Sequence, residues 1–175
     1  MPIISSTTTA PAGSWTPRLY AHIPTPWRRN GPDMVKYRAA AVDGLEYFDE
    51  LAEMHKACFP IEEMPPFDHG EWWIVYDKNK DPAAFAGIKP SYQWLDTGYL
   101  CRAGVLSHHR GQGLQRRLIR KRIRRARELG WKWLVTDTNE NTISANNLIE
   151  CGFRMYTPSS PWSFKTACYW RLKIA

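Results

Sequence analysis

The sequence predicts one α+β domain with a mixed sheet and helices on its faces. Two observations point there. A chain of 175 residues, 43% apolar and 23% charged, has the size and composition of a single domain able to bury a core. Its periodic segments run strand, helix, three strands, helix, strand, helix and two strands, an order unlike the regular alternation of a doubly wound parallel sheet.

Residues 1–33 stand outside that pattern. They hold six of the thirteen prolines and a Ser/Thr run at 5–9, with no acid before Asp33, and read as an N-terminal extension to a domain spanning 34–175. Trp15, Tyr20 and Trp27 favour an extension laid on a surface over a free tail. Within the domain, residues 34–41 alternate weakly as a first strand. Asp43 and Glu46 have the spacing of a capping box, and Leu45, Phe48, Leu51, Ala52, His55 and Cys58 follow at helical spacing until Pro60. Residues 71–76 and 83–89 form a hairpin around a polar turn, and 99–106 a further strand. A glycine-bearing turn leads into a helix over 113–128, stopped by Gly130. A strand at 132–138, a helix at 143–151, and strands at 153–156 and 164–173 complete the sheet.

The net charge of +7 is concentrated. Eight basic residues lie between Arg116 and Arg127 with no acid among them; the rest of the chain holds 16 basic and 17 acidic residues. On that helix Leu114, Leu118, Ile119, Ile123, Ala126 and Leu129 share one half of the circumference. Arg122 and Arg125 intrude on it, and their stems are expected along the core with heads in water. Four cysteines without a C-x-x-C pair, no apolar run long enough for a membrane span and no apolar signal core predict a reduced, cytoplasmic protein. His108 and His109 have no further ligand at metal spacing, so no metal is expected. Nine tryptophans, among them the pairs Trp72–Trp73 and Trp131–Trp133, read first as core and edge side chains, with a stacking surface as the alternative.

The informative segment is Gly104 to Leu118, where a strand passes through glycines into the start of a helix. The first N–H groups of a helix have no internal partner and carry partial positive charge, and glycines let them close around a phosphate. Gln112, Gly113, Leu114 and Gln115 would supply those donors, and Arg116 and Arg117 would add charge-assisted bonds. No third glycine completes a dinucleotide fingerprint from Gly111, and no Gly-Lys-Ser/Thr completes a Walker loop.

Val105, then Arg110-Gly111-Gln112-Gly113-Leu114, then Leu118, resembles the acetyl-CoA signature Q/R-x-x-G-x-G/A of the GNAT N-acetyltransferase superfamily. The downstream block from Thr138 through Asn141, Ser144 and Asn147 to Gly152-Phe153 resembles the family's closing motif. The resemblance implies the GNAT fold, with a mostly antiparallel central sheet and helices on both faces. It also implies acetyl-CoA as cofactor and transfer of its acetyl group to an amine acceptor, small molecule or protein. On that basis the main-chain groups of Val105 pair with pantetheine, the turn Arg110 to Gln115 holds the pyrophosphate, Asn141 steadies the arm and Ser144 faces the thioester or leaving thiol.

The match departs from the family at three places. Gln115 replaces the final Gly/Ala of the signature, which its backbone N–H tolerates if the side chain turns away. Leu148 stands where many members carry the tyrosine that reprotonates the thiolate. No acid occurs among Tyr99, Cys101, Ala103 and Val105, the strand face that often carries the base. Tyr99, Cys101 and Tyr156 are the remaining catalytic candidates, and a base acting through water is the alternative. Glu62, Glu63 and Asp68 in the Pro-rich loop are candidates for binding a cationic acceptor. The predicted reaction is direct attack by the amine, in a monomer or homodimer. The competing reading is a non-catalytic module of the same shape that binds nucleic acid or an acidic partner through residues 116–127.

Overall fold

A computed structural model of the chain describes residues 37–174; the extension, with Trp15, Tyr20 and Trp27, and the start of the first predicted strand lie outside the described residues. The elements are β1 (Arg38–Val42), α1 (Phe48–Cys58), β2 (Glu71–Tyr76), β3 (Pro82–Pro90), β4 (Thr97–Tyr99), β5 (Ala103–Val105), α2 (Leu114–Glu128), β6 (Trp133–Thr138), α3 (Thr142–Glu150), β7 (Arg154–Tyr156) and β8 (Cys168–Lys173). The strands form one sheet in the order β1-β2-β3-β4-β6-β8-β7, with β5 paired to β3. Of these pairings only β4–β6 is parallel. The α+β fold and mostly antiparallel sheet are those expected.

Helices cover both faces. Leu114, Leu118, Ile119, Ile123 and Ala126 of α2 and Leu148 of α3 pack on Ala84, Ala86, Ile88, Leu134 and Trp170. Leu51, Ala52 and Met54 of α1 pack on the other face with Phe67, Trp72, Ile74 and Phe85. Trp72 and Trp73 are thus core residues, as expected.

Three details differ from expectation. Asp43 does not cap α1: its carboxylate accepts from the N–H groups of Leu45 and Glu46 at 2.9 and 3.0 Å, ordering a turn before the helix starts. A Cβ on Gly44 would stand 1.8 Å from the Phe67 carbonyl oxygen, so the turn packs closely enough there to need glycine, and Leu45 and Phe48 stay exposed. The last strand begins at Cys168, because residues 164–167 turn through an Ala167 N–H to Phe164 C=O bond. The third difference, a break in the strand predicted at 99–106, creates the site.

Candidate active site

Residues 97–105 are two strands. β4 pairs Thr97–Tyr99 in parallel with Trp133–Val135 of β6, and the Leu100 N–H still reaches the Val135 carbonyl at 2.9 Å. The chain then bulges through Leu100–Arg102, and β5 continues on β3 alone. The bonds Gly87 N–H to Arg102 C=O (3.0 Å) and Leu106 N–H to Ala83 C=O (2.9 Å) fix which main-chain groups face β3. By antiparallel alternation the N–H and C=O of Ala103 and Val105 face away from β3, toward β6, where no strand pairs with them. The same alternation along β6 turns the main chain of Asp137 to this side, leaving a gap whose walls are β5 and β6. The Thr136 hydroxyl donates to the Leu100 carbonyl at 2.9 Å and fixes the point where the strands part.

Arg122 holds the bulge from the other side. Its side chain is only 3% exposed, and its guanidinium donates to the carbonyls of Gly87, Cys101 and Leu118 at 3.2 Å. Its head was expected in water; the bulge leaves carbonyls unpaired inside the sheet, and the guanidinium satisfies them there. Burial lowers its pKa to about 10, which keeps it charged at neutral pH.

Both strands bordering the gap lead into helix N-termini. From β5 the chain passes a single 3₁₀ turn, Ser107–His109, and then Gly111 and Gly113 at φ 76° and 72°. Gly113 is the N-cap of α2, no side chain caps the helix, and the first intrahelical bond is from Arg117 N–H to Gly113 C=O. The N–H groups of Leu114, Gln115 and Arg116 therefore lack intrahelical partners. From β6 the chain enters α3, where the Asn141 side-chain oxygen accepts from the Ser144 N–H at 2.9 Å. Gln115 joins the two first turns: its amide donates to the Ser144 hydroxyl and accepts from Asn147, both at 2.7 Å. Its side chain thus points to α3.

The remaining candidates divide. The Arg110 Nε donates to the Val105 carbonyl at 3.3 Å, a long exposed bond across the mouth of the gap. Of the predicted phosphate ligands, Arg116 is paired with Glu150 while its Nη2 stays beside Gly113, 3.7 Å from where a Cβ would stand, and Arg117 donates to the Tyr37 carbonyl. Leu148 is packed in the core. The bulge separates the four residues expected on one strand face: Ala103 and Val105 pack toward α2, whereas Cys101 packs with the α1 side. Burial pushes the Cys101 thiol up to about 11, which disfavours the thiolate form at neutral pH. Tyr99 donates to Asp137 Oδ1 at 2.8 Å, and burial together with that carboxylate raises its pKa far above the ordinary phenol value. Tyr156 lies on β7, beyond β8 from the gap; burial raises its pKa, and the Arg171 guanidinium, 4.9 Å over its ring, opposes that shift.

In the Pro-rich loop Glu62 is paired with Arg102, which also contacts the Glu63 carbonyl and lies over Phe59. On α2, Arg125 is bound by both oxygens of Glu71, and Arg124 lies 3.9 Å from Glu128. The basic helix is thus partly neutralised by neighbouring acids. Among the described residues no group of His, Cys, Asp and Glu fits a metal, and no helix is long and apolar enough to cross a membrane. Two open depressions of about 420 and 360 Å³ line the β1–β2 region and share no residue with the gap.

Sequence reasoning missed Asp137 and Trp162. The Trp162 Nε1 donates to the same Asp137 oxygen as Tyr99, at 3.0 Å. Strand alternation from Trp133 and Val135 was a signal for Asp137; none marked Trp162, which arrives from a loop.

The sequence matches the model of the acetyltransferase (GNAT) family over residues 44–153. Among solved structures, the ribosomal-protein-S18-alanine N-acetyltransferase of Escherichia coli is 16% identical, with a TM-score of 0.64 over 80% of this chain and 95% of that one. A Bacillus subtilis acetyltransferase in complex with CoA is also 16% identical, with a TM-score of 0.64 over 80% and 100% of the two chains. The IAA acetyltransferase from Bacillus cereus is 13% identical, with a TM-score of 0.63 over 79% and 99%. At such identities these likenesses concern the fold. No curated protein sequence matches the chain.

Proposed function

The chain belongs to the GNAT acetyltransferase family, and from that premise we propose that it transfers the acetyl group of acetyl-CoA directly to an amine acceptor. One observation carries the reading: the uncapped N-terminus of α2, with two glycines at positive φ before it, follows directly from a strand bordering an unpaired gap in the sheet. Free helix N–H groups and the helix dipole suit a pyrophosphate, and no acid lies in the first turn of α2 to oppose it.

In this reading the turn Arg110, Gly111, Gln112, Gly113, Leu114 and Gln115 holds the pyrophosphate, and the main chain of Val105 pairs with the amides of the pantetheine arm. Asn141 uses its side-chain oxygen as a cap and has its NH₂ for the arm. Ser144 holds Gln115, and through it the first turn of α2. Acetyl-CoA would supply an activated acyl group; the chain supplies orientation through the gap and the α2 N-terminus. Direct transfer is supported by Cys101, whose thiol is pushed up to about 11 by burial. Leu148 offers no proton, so the leaving thiolate takes one from water or from the amine itself. The four cysteines are all unpaired, which suits the reducing cytoplasm.

Calorimetric titration with acetyl-CoA tests the cofactor half: binding is expected, and its absence at about 1 mM ligand refutes it. Thiol release across a panel of amines tests the transfer half, and silence across the whole panel refutes that.

A further inference from the structure

Asp137 is the carboxylate that the gap brings together with aromatic rings. It is half-buried on β6, and its side chain shares the α1-side face with Tyr99, whose register partner is Val135, and with Tyr169, its own partner on β8. Tyr99 and Trp162 both donate to Oδ1. Among the described residues Oδ2 has no hydrogen-bond partner and Asp137 no ion pair. Trp162 is held edge-on against Tyr169 (4.5 Å between centroids), Trp94 (5.3 Å) and Tyr99 (6.5 Å). Its loop is tied down by the bond from Ser163 N–H to the Tyr169 hydroxyl at 3.1 Å and by the Thr166–Asn139 bond at 2.7 Å.

An anion partly removed from water and satisfied only by neutral donors is favourable where a cation completes it. Tyr99 and Trp162 present their donor edges to Oδ1, and Trp94 and Tyr169 pack edge-on against Trp162, so the carboxylate stands at one side of an aromatic cluster. Both donors act on one oxygen, which leaves the other for a ligand. Tyr92, Leu95 and Phe164, close in sequence to Trp94 and Trp162, are largely exposed and offer apolar surface suited to a hydrocarbon stem. Lys89, whose ammonium lies over Tyr92 at 4.9 Å and 5.7 Å from the Tyr99 ring centroid, pairs with no acid among the described residues.

We propose that Asp137, Trp162, Trp94 and Tyr99 form the binding site for the acceptor, and that the acceptor is a protonated aliphatic amine on an alkyl stem. This rests on the acetyl-transfer reading for what happens to the amine, but not for its binding. Asp137 Oδ2 takes the ammonium beside the aromatic cluster, and the apolar surface covers the stem. The main chain of Asp137 borders the gap assigned to pantetheine, so the residue that holds the ammonium stands on the wall of that gap.

Hexylamine and hexanol separate charge from stem. Titrated calorimetrically into the intact chain at neutral pH, hexylammonium is expected to bind at least roughly tenfold more tightly than hexanol, the preference that one charge-assisted bond supplies. Asp137→Asn keeps an oxygen for Tyr99 and Trp162 and is expected to lose that preference, with acetyl-CoA affinity unchanged. Trp162→Phe, which keeps a ring and loses the donor, is expected to weaken hexylammonium binding less. Equal binding of amine and alcohol by the unaltered protein overturns the proposal, whether or not either variant folds. So does normal binding of the amine by the Asp137→Asn protein. If hexylammonium binds through Asp137 while acetyl-CoA does not bind at all, acetyl transfer fails and this site stands. If acetyl-CoA binds and other amines are acetylated while hexylammonium is ignored, the site fails and acetyl transfer stands.

Discussion

Gly113→Ala separates the strain of a turn from the use to which the turn is put. Gly113 has φ 72°, and an added Cβ there meets nothing nearer than the Arg116 Nη2 at 3.7 Å. The substitution therefore adds no clash, only the cost of holding alanine in the left-handed region, about 1 kcal/mol. Gly130, just past the other end of α2, has the same φ of 72° with nothing within 4 Å of a built Cβ. The two variants are matched in strain, and each is expected to lower the melting temperature by roughly 2–4 °C. They differ in consequence. At Gly113 relief of strain rotates the N–H groups of Leu114, Gln115 and Arg116, and misaligning one bond to a phosphate costs about 1.5–3 kcal/mol. Acetyl-CoA affinity should fall roughly 10- to 100-fold for Gly113→Ala and stay unchanged for Gly130→Ala. Calorimetry on both proteins, with urea unfolding alongside, reads the two effects separately. Normal affinity in Gly113→Ala, or an equal loss in Gly130→Ala, would refute the phosphate cradle.

Two further outcomes concern stability. Arg122→Ala leaves the Gly87 and Cys101 carbonyls without their buried donor, and at about 1–3 kcal/mol for each unsatisfied group urea unfolding should show a loss of about 3 kcal/mol; a loss below about 0.5 kcal/mol would refute the clamp. His55 is 1% exposed, and burial, with Arg102 adding to it, holds its imidazole below the ordinary value of 6.5. The unfolded chain then binds the proton more readily, so the His55 contribution is level above pH 6.5, falls as pH drops below that value, and levels off below the depressed folded one. His55→Leu should remove this step from the pH dependence of urea unfolding, and an unchanged step would assign it to another group.

Much of the fold and half of the site were legible in the sequence because they depend on local chemistry. Helical spacing marked Leu51, Leu118 and Ile123, the polar turn between two apolar runs marked β2 and β3 as a hairpin, and Gly111 and Gly113 announced a turn that only positive φ permits. Gln115 was readable as far as its backbone; its bonds to Ser144 and Asn147 reach residues about thirty positions away and required the packing of α2 on α3. The break at Leu100–Arg102 was invisible, since a strand looks the same whether one partner or two claim it. That break decided most of what differs: it sent Cys101 to the opposite face, opened the gap at Val105, and drew Arg122 inside to satisfy the bulged carbonyls. Tertiary structure alone also brought Trp162 from a loop to Asp137 on β6. The sequence by itself determined where a polyanion is expected, because the end of a helix and the glycines before it are contiguous in the chain. What faces the acceptor depends on strands and loops that meet only in the folded molecule.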